Sequence, residues 1–271
     1  MIKIEQLTFG YRKQPALYNQ LSLDIQGGSI VGLLGKNGAG KTTLLKLIAG
    51  LLQAPDKKAI ETIGFNPGCK NPEMLRDIFF IPEEFELPSV SMKGYAKAIS
   101  GYYPNFDQEK LDRILLEFEL DANKKLSKLS YGQKKKFLIA LTLACGSKIL
   151  ILDEPTNGLD IPSKSIFRKV VVGALTEDQL VIISTHQVKD IETIIDRVII
   201  VDQGKVVLNH NIFEITGKYA FKSVSNPEKY QPIYQEAVPG GYKIVTAKND
   251  EETDLDIEIL FNAATKGISF D

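Results

Sequence analysis

Cysteine is nearly absent. Cys69 and Cys145 are the 2 in 271 residues, too few and too far apart for a disulfide framework or a zinc knuckle, and a reducing, cytosolic setting fits best. Long apolar runs are missing too: the longest nearly apolar stretch, 137–145, falls far short of the ~20 residues a membrane-spanning helix needs. The start, Met1-Ile2-Lys3-Ile4-Glu5, is too polar for a secretory signal. Neither sign of charge dominates, since 33 basic side chains against 34 acidic ones leave a formal charge of −1. That balance argues against nucleic acid or an anionic membrane surface as partner. Internal repeats and low-complexity segments are lacking. If such a chain works at a membrane, something else must hold it there.

What is present is ordinary for a folded protein, 44% hydrophobic and 25% charged, with room for one large domain or a medium one with an appendix. Alternating Ile2, Ile4, Leu7 and Phe9, then Leu21, Leu23 and Ile25, predict half-buried strands. Continuous apolar runs at 30–34, 78–81, 149–152, 180–183 and 198–201 predict strands buried on both faces. The last of these meets Asp202-Gln203-Gly204-Lys205, a hairpin signal leading into 206–208. Helical patterns at 41–50, 107–119, 131–144, 163–175 and 188–195 alternate with the runs, which predicts α/β with a mostly parallel core sheet. Residues 84–146 break the alternation and read as a helical insertion. Composition shifts near Thr216, so the expected division is a main domain over 1–216 and a small C-terminal α+β appendix over 217–271. The appendix should hold two or three short strands and a closing helix near 256–265, and lean on the main domain, because ~50 residues rarely support a core alone. Its acidic cluster Asp250-Glu251-Glu252 reads as a solvated turn.

The run Gly35-Lys36-Asn37-Gly38-Ala39-Gly40-Lys41-Thr42 satisfies Gly, any four residues, Gly-Lys-Ser/Thr, between a buried strand and a helix. Gly35, Gly38 and Gly40, with Asn37 among them, let backbone N–H groups curl around phosphate oxygens, and the helix N-terminus adds partial positive charge. In this reading Lys41 reaches the β- and γ-phosphates, Thr42 ligates Mg²⁺ and Thr43 helps at the α-phosphate. An ordinary glycine-rich strand–helix turn is the plainer alternative. Asn123-Lys124-Lys125-Leu126 lacks the Asp expected of a guanine-reading sequence, so guanine is disfavoured. The strand 149–152 ends in Asp153-Glu154, which brings two carboxylates to the edge where the phosphate loop lies. Asp153 suits a Mg²⁺ site and Glu154 a general base that polarises water, against the alternative of a solvated acidic turn. His186 ends the run 181–186 at the same edge, where an imidazole could touch the γ-phosphate; a lone histidine could equally be a surface or satisfied core residue.

Leu129-Ser130-Tyr131-Gly132-Gln133 resembles the signature motif of the ABC-type ATPases. With the phosphate loop, Asp153-Glu154-Pro155-Thr156, Asn157-Gly158-Leu159-Asp160 and Ser184-Thr185-His186, the resemblance covers residues 1 to about 210 in correct order and spacing. It implies a P-loop NTPase fold with an N-terminal antiparallel β part, ATP as nucleotide, Mg²⁺ as cofactor, Asp160 in the D-loop and His186 as the switch histidine. It further implies that Tyr11 stacks on adenine, and that Ser130, Gly132 and Gln133 face the γ-phosphate held by a second ATPase subunit of the same or a related chain. Two positions depart from the family pattern. Tyr131 stands where glycine is usual, and Glu83 replaces the usual glutamine that touches Mg²⁺ and the membrane partner; glutamate can still accept a hydrogen bond from a metal-bound water.

The expectation is therefore an ATP-hydrolysing subunit of an ABC transporter, cytoplasmic and peripheral on the inner face of the membrane, working through a separately encoded integral-membrane permease. Glu83 and the short tail resemble export-type subunits. An assembly-scaffold ATPase without a permease is the alternative, and intact Lys41, Asp153, Glu154 and His186 argue against a degenerate, purely regulatory chain.

Overall fold

The structure is a computed structural model and describes residues 1–248 and 253–270; the acidic cluster Asp250-Glu251-Glu252 lies outside the described residues. The chain opens with β1 (Ile2–Phe9) and β2 (Tyr18–Ile25), an antiparallel pair that buries Ile2, Ile4, Leu7 and Phe9 against Leu21, Leu23 and Ile25. Ile4 and Leu7 lie three apart yet share a face because the register shifts between them, where Gln6 takes a φ of 47°. Next come β3 (Ser29–Leu34), the helix α1 (Lys41–Ile48) and a short β4 (Ile60–Thr62), which joins the other edge of β1.

After the short helix α2 (Pro72–Arg76) and β5 (Ile78–Ile81), the segment read as a helical insertion holds α3 (Met92–Ser100), α4 (Gln108–Glu117) and α5 (Tyr131–Ala144). The chain returns through β6 (Ile149–Asp153), α6 (Ile161–Ala174), β7 (Leu180–Thr185), β8 (Arg197–Asp202) and β9 (Lys205–Asn211). These strands and β3 form a six-stranded sheet ordered β5-β6-β7-β3-β8-β9, parallel except for the β8–β9 hairpin. The hairpin turn has φ of 47° at Gln203 and 73° at Gly204, and any Cβ at Gly204 would collide with the Leu17 carbonyl.

Both faces of this sheet are covered, which explains the continuous apolar runs. Val31, Leu33, Ile149 and Ile151 face the N-terminal sheet and α1, whereas Ile30, Leu34, Leu150 and Leu152 face α5 and α6. The last segment holds α7 (Ile212–Lys218), an antiparallel sheet of β10 (Tyr219–Val224), β11 (Tyr234–Val238) and β12 (Gly241–Ala247) in the order β10-β12-β11, and α8 (Ile257–Thr265). Ile257 and Leu260 of α8 belong to the same apolar cluster as Val198 and Ile200 of β8.

One expected helix does not form. Residues 188–195 fold as a 3-10 turn over Val188–Asp190 followed by irregular turns. Both ends are pinned too closely for a regular helix: Asp190 pairs with Lys164 at 2.7 Å, and Asp196 accepts from the Ile30 amide at 2.8 Å. Ile191 and Ile195 within this segment are buried over Gly32, whose missing side chain makes room for both.

Candidate functional site

The parallel strands β3, β5, β6 and β7 run into loops at one edge of the sheet, the edge at which open α/β sheets bind ligands. A cleft of about 650 Å³ opens there, lined by Tyr11, the phosphate loop, Glu83, Glu154 and His186 among others. A larger cleft of about 1040 Å³ lies between residues 186–192 and the C-terminal segment, but it has no phosphate loop, and its Lys243 is already paired with Asp256 at 2.6 Å. The smaller cleft carries the chemistry.

Gly38 and Gly40 take φ of 81° and 105°, which turns the loop back on itself, and a Cβ on Gly35 would come within 2.6 Å of the Val201 carbonyl. Lys41, at the start of α1, is buried; its Nζ donates to the carbonyl of Gly35 at 2.7 Å and lies 3.4 Å from that of Lys36. Burial pulls its pKa below the usual lysine value, and the carboxylates of Glu154, Asp153 and Glu83 partly oppose that shift. The loop rests on Tyr18, a wholly buried side chain whose hydroxyl donates to the Gly40 carbonyl at 2.5 Å. Tyr18 carries no motif spacing, and nothing in the sequence marks it as part of this site.

The acidic edge is assembled from three strands. Thr42 Oγ1 donates to Asp153 Oδ2 at 2.7 Å, and Ser184 Oγ donates to the other oxygen, Asp153 Oδ1. The hydroxyl of Thr42 and the carboxylate of Asp153 are hard oxygen donors converging from α1 and β6, a set that fits Mg²⁺ completed by water and phosphate oxygens. Glu154 has a φ of 47°, and its amide donates to Ser184 O at 3.1 Å. Its Oε1 lies 2.9 Å from His186 Nδ1 and 3.9 Å from Lys41 Nζ, while Oε2 is buried without a hydrogen-bond partner among the described residues. An unpaired buried carboxylate oxygen is costly, and its position in a cleft makes it a candidate for contact with a ligand or water. Ser184 and Lys135, whose Nζ donates to the Glu154 carbonyl at 2.9 Å, were not singled out by sequence reasoning.

Tyr11 borders the cleft: its hydroxyl lies 3.0 Å from Thr43 Oγ1, and its ring meets Phe9 edge-on, with centroids 5.4 Å apart. Glu83 Oε1 accepts from Asn157 Nδ2 at 3.0 Å. The signature residues do not line this cleft. Ser130 caps α5: its Oγ accepts from the Gln133 amide at 3.2 Å, while Gln133 Oε1 accepts from the Ser130 amide at 3.0 Å, a reciprocal box. Gly132 packs on the loop after β6, where a Cβ would stand 2.9 Å from the Gly158 carbonyl. Asp160 caps α6 through the Ser163 amide at 2.9 Å, and the Ser163 side chain and amide together hold its carboxyl below the usual range. Tyr131 fits in place of a glycine because its ring stacks on Phe85, with centroids 5.2 Å apart, and its hydroxyl donates to the Glu83 carbonyl.

The chain is similar to known proteins over most of its length. A family profile described as "ABC transporter" matches residues 18–157. An uncharacterized ABC transporter ATP-binding protein of Methanocaldococcus jannaschii is 29% identical over 269 residues, 96% of this chain and 95% of that one. The SkfA peptide export ATP-binding protein SkfE of Bacillus subtilis is 33% identical over 213 residues, 76% of this chain and 87% of its own length. Among solved structures, one titled as the ATP-binding subunit of an ABC transporter aligns with a TM-score of 0.71 at 24% identity, over 80% of this chain and 92% of that one, a likeness of fold.

Proposed function

We propose a division of labour among the residues of this chain, which belongs to the ABC transporter family and is an ATP-binding, ATP-hydrolysing subunit. The phosphate loop from Gly35 to Thr42 holds the phosphates, Lys41 supplies charge to the β- and γ-phosphates, Thr43 helps at the α-phosphate and Tyr11 faces the adenine. Thr42 and Asp153 hold Mg²⁺, which when bound neutralises charge on the phosphate oxygens. Glu83 borders the same space through its contact with Asn157.

The observation that carries the catalytic reading is the state of Glu154: one oxygen is held by His186 and the other, Oε2, is buried beside the phosphate loop with no partner among the described residues. Oε2 is the atom that takes a proton from the attacking water. His186 Nδ1 lies 2.9 Å from Oε1 of Glu154, and the imidazole borders the cleft beside the phosphate loop. Lys41 Nζ lies 3.9 Å from Oε1, so the phosphate loop and the base share one wall of the cleft.

Ser130 and the N-terminus of α5 are exposed and lie outside the cleft, so they serve a second nucleotide in a head-to-tail pair, with Gly132, Gln133 and Asp160 at the seam. The partner subunit is a second copy or a related chain. No described helix is long and apolar enough to cross a membrane. The family match supports an integral-membrane permease as the component that carries the transport path. The export naming of the Bacillus subtilis relative supports efflux as the direction.

Glu154→Gln tests the assignment. Turnover should fall by about 10² to 10⁴-fold while ATP binding persists, and the variant should sediment as a dimer with saturating MgATP. Full turnover would remove Glu154 as the base; a monomer at saturating MgATP would remove the pairing.

A further inference from the structure

Lys135 lies in the second turn of α5 and has no solvent exposure, although an ammonium group is among the most costly side chains to bury. Its Nζ donates to the main-chain carbonyl of Glu154 at 2.9 Å and sits 5.2 Å from the centroid of the Tyr131 ring, one turn earlier on the same helix. Burial pulls its pKa below the usual lysine value, and the carboxylates of Glu83, Glu154 and Asp153 partly oppose that shift. The residue it holds has an unusual backbone, with φ of 47° at Glu154, a left-handed conformation that a side-chain-bearing residue keeps only when its surroundings enforce it.

Glu154 is fixed at its amide, its carbonyl and one carboxylate oxygen. Ser184 accepts from its amide through both O, at 3.1 Å, and Oγ, at 3.2 Å. Lys135 takes the carbonyl, and His186 takes Oε1. Of these contacts only the one from Lys135 comes from the helix that starts at Ser130. Tyr131 closes the arrangement, since it covers Lys135, stacks on Phe85 and donates to the Glu83 carbonyl.

Resting on the reading of Glu154 as the base, we infer that Lys135 is a positioning residue for Glu154: it grips the carbonyl of the catalytic residue from α5, so turnover depends on where the first turns of that helix sit. A base displaced by a fraction of an ångström loses rate without losing nucleotide, because the phosphate loop that binds ATP is a separate segment.

The test uses the full chain and compares Lys135→Met, Lys135→Arg, Glu154→Gln and the double variant Lys135→Met/Glu154→Gln. In Lys135→Met, kcat should fall ~10- to 100-fold with KM and ATP affinity within about twofold. Lys135→Arg, which keeps charge and donor, should recover most of the loss. In the double variant the residual turnover should equal that of Glu154→Gln alone, because a base that is gone cannot be misplaced. Unchanged kcat in Lys135→Met, a parallel loss of ATP affinity, or losses that multiply in the double variant would overturn the inference. If Lys135→Met does not fold, Lys135→Leu replaces it, with no N–H donor and the same expected outcomes. Retained turnover in Glu154→Gln would refute the base assignment itself, whereas an inactive Glu154→Gln beside a fully active Lys135→Met would refute only the positioning role.

Discussion

Removing one hydroxyl beneath the phosphate loop, by Tyr18→Phe, should weaken both the fold and nucleotide binding by amounts the structure sets. The ring stays in place, so no large cavity forms, and the loss is the hydrogen bond to the Gly40 carbonyl at 2.5 Å. That carbonyl also accepts from the Leu44 amide at 2.9 Å and is not orphaned, so the cost is the net value of one bond, about 1 kcal/mol. In a chain of this size that lowers the melting midpoint by ~2–4 °C. Gly40 lines the cleft, and if the bond serves to hold the loop ready for phosphate, ATP affinity should fall by up to about fivefold. Urea denaturation followed by far-ultraviolet circular dichroism reads the first effect, and titration with a fluorescent ATP analogue reads the second.

A pH series sharpens the test. Burial raises the Tyr18 pKa above its ordinary value of 10.0. Above that pH the unfolded chain loses this proton while the folded one keeps it, so the wild type loses stability as pH rises, by up to ~1.4 kcal/mol per pH unit from this group. Tyr18→Phe has no such proton, and the stability gap between the two proteins should close within about one pH unit above 10. A stability equal to wild type at neutral pH, or a gap that widens in alkali, would refute the reasoning; unchanged ATP affinity would reduce Tyr18 to a core residue.

Two further outcomes follow from local geometry. Ser130→Ala removes the α5 cap and should cost ~1 kcal/mol in a urea melt, whereas Ser130→Gly should cost only a few tenths, with ATP binding to the isolated chain unaffected in both; equal stabilities would contradict the reciprocal box with Gln133. Of the two thiols, Cys69 is exposed and Cys145 is buried, with burial pushing the Cys145 pKa up to about 12. An aromatic disulfide reagent at pH 8 should therefore titrate one thiol in the native protein and two in denaturant, and two in the native state would contradict the packing around Cys145.

Much of the architecture was legible because its causes are local. The apolar runs at 30–34 and 149–152 announced strands covered on both faces, and Gln203-Gly204 announced the hairpin between β8 and β9. The helix over 131–144 was expected with the bounds it has, and the Ser130–Gln133 box that caps it emerges only in the fold. The same local logic failed at 188–195, read as helical, where the Lys164–Asp190 pair and the Asp196–Ile30 bond forced turns. The fit of Tyr131 was illegible for a related reason: Phe85 and the Glu83 carbonyl, its neighbours in space, are far away in the chain.

By itself the sequence determined the phosphate loop, the two carboxylates at the end of one buried strand, the histidine at the end of another, and the family to which the order of these motifs belongs. Each depends on turn chemistry, period or spacing within a few residues. Only the tertiary structure decided that Thr42 meets Asp153, that His186 occupies one oxygen of Glu154 and leaves the other free, and that Tyr18 and Lys135 support the two ends of the site. Those contacts join segments about 20 to more than 100 residues apart. They exist because a parallel sheet gathers the carboxyl ends of separate strands at one edge, a convergence created by packing and invisible to any local pattern.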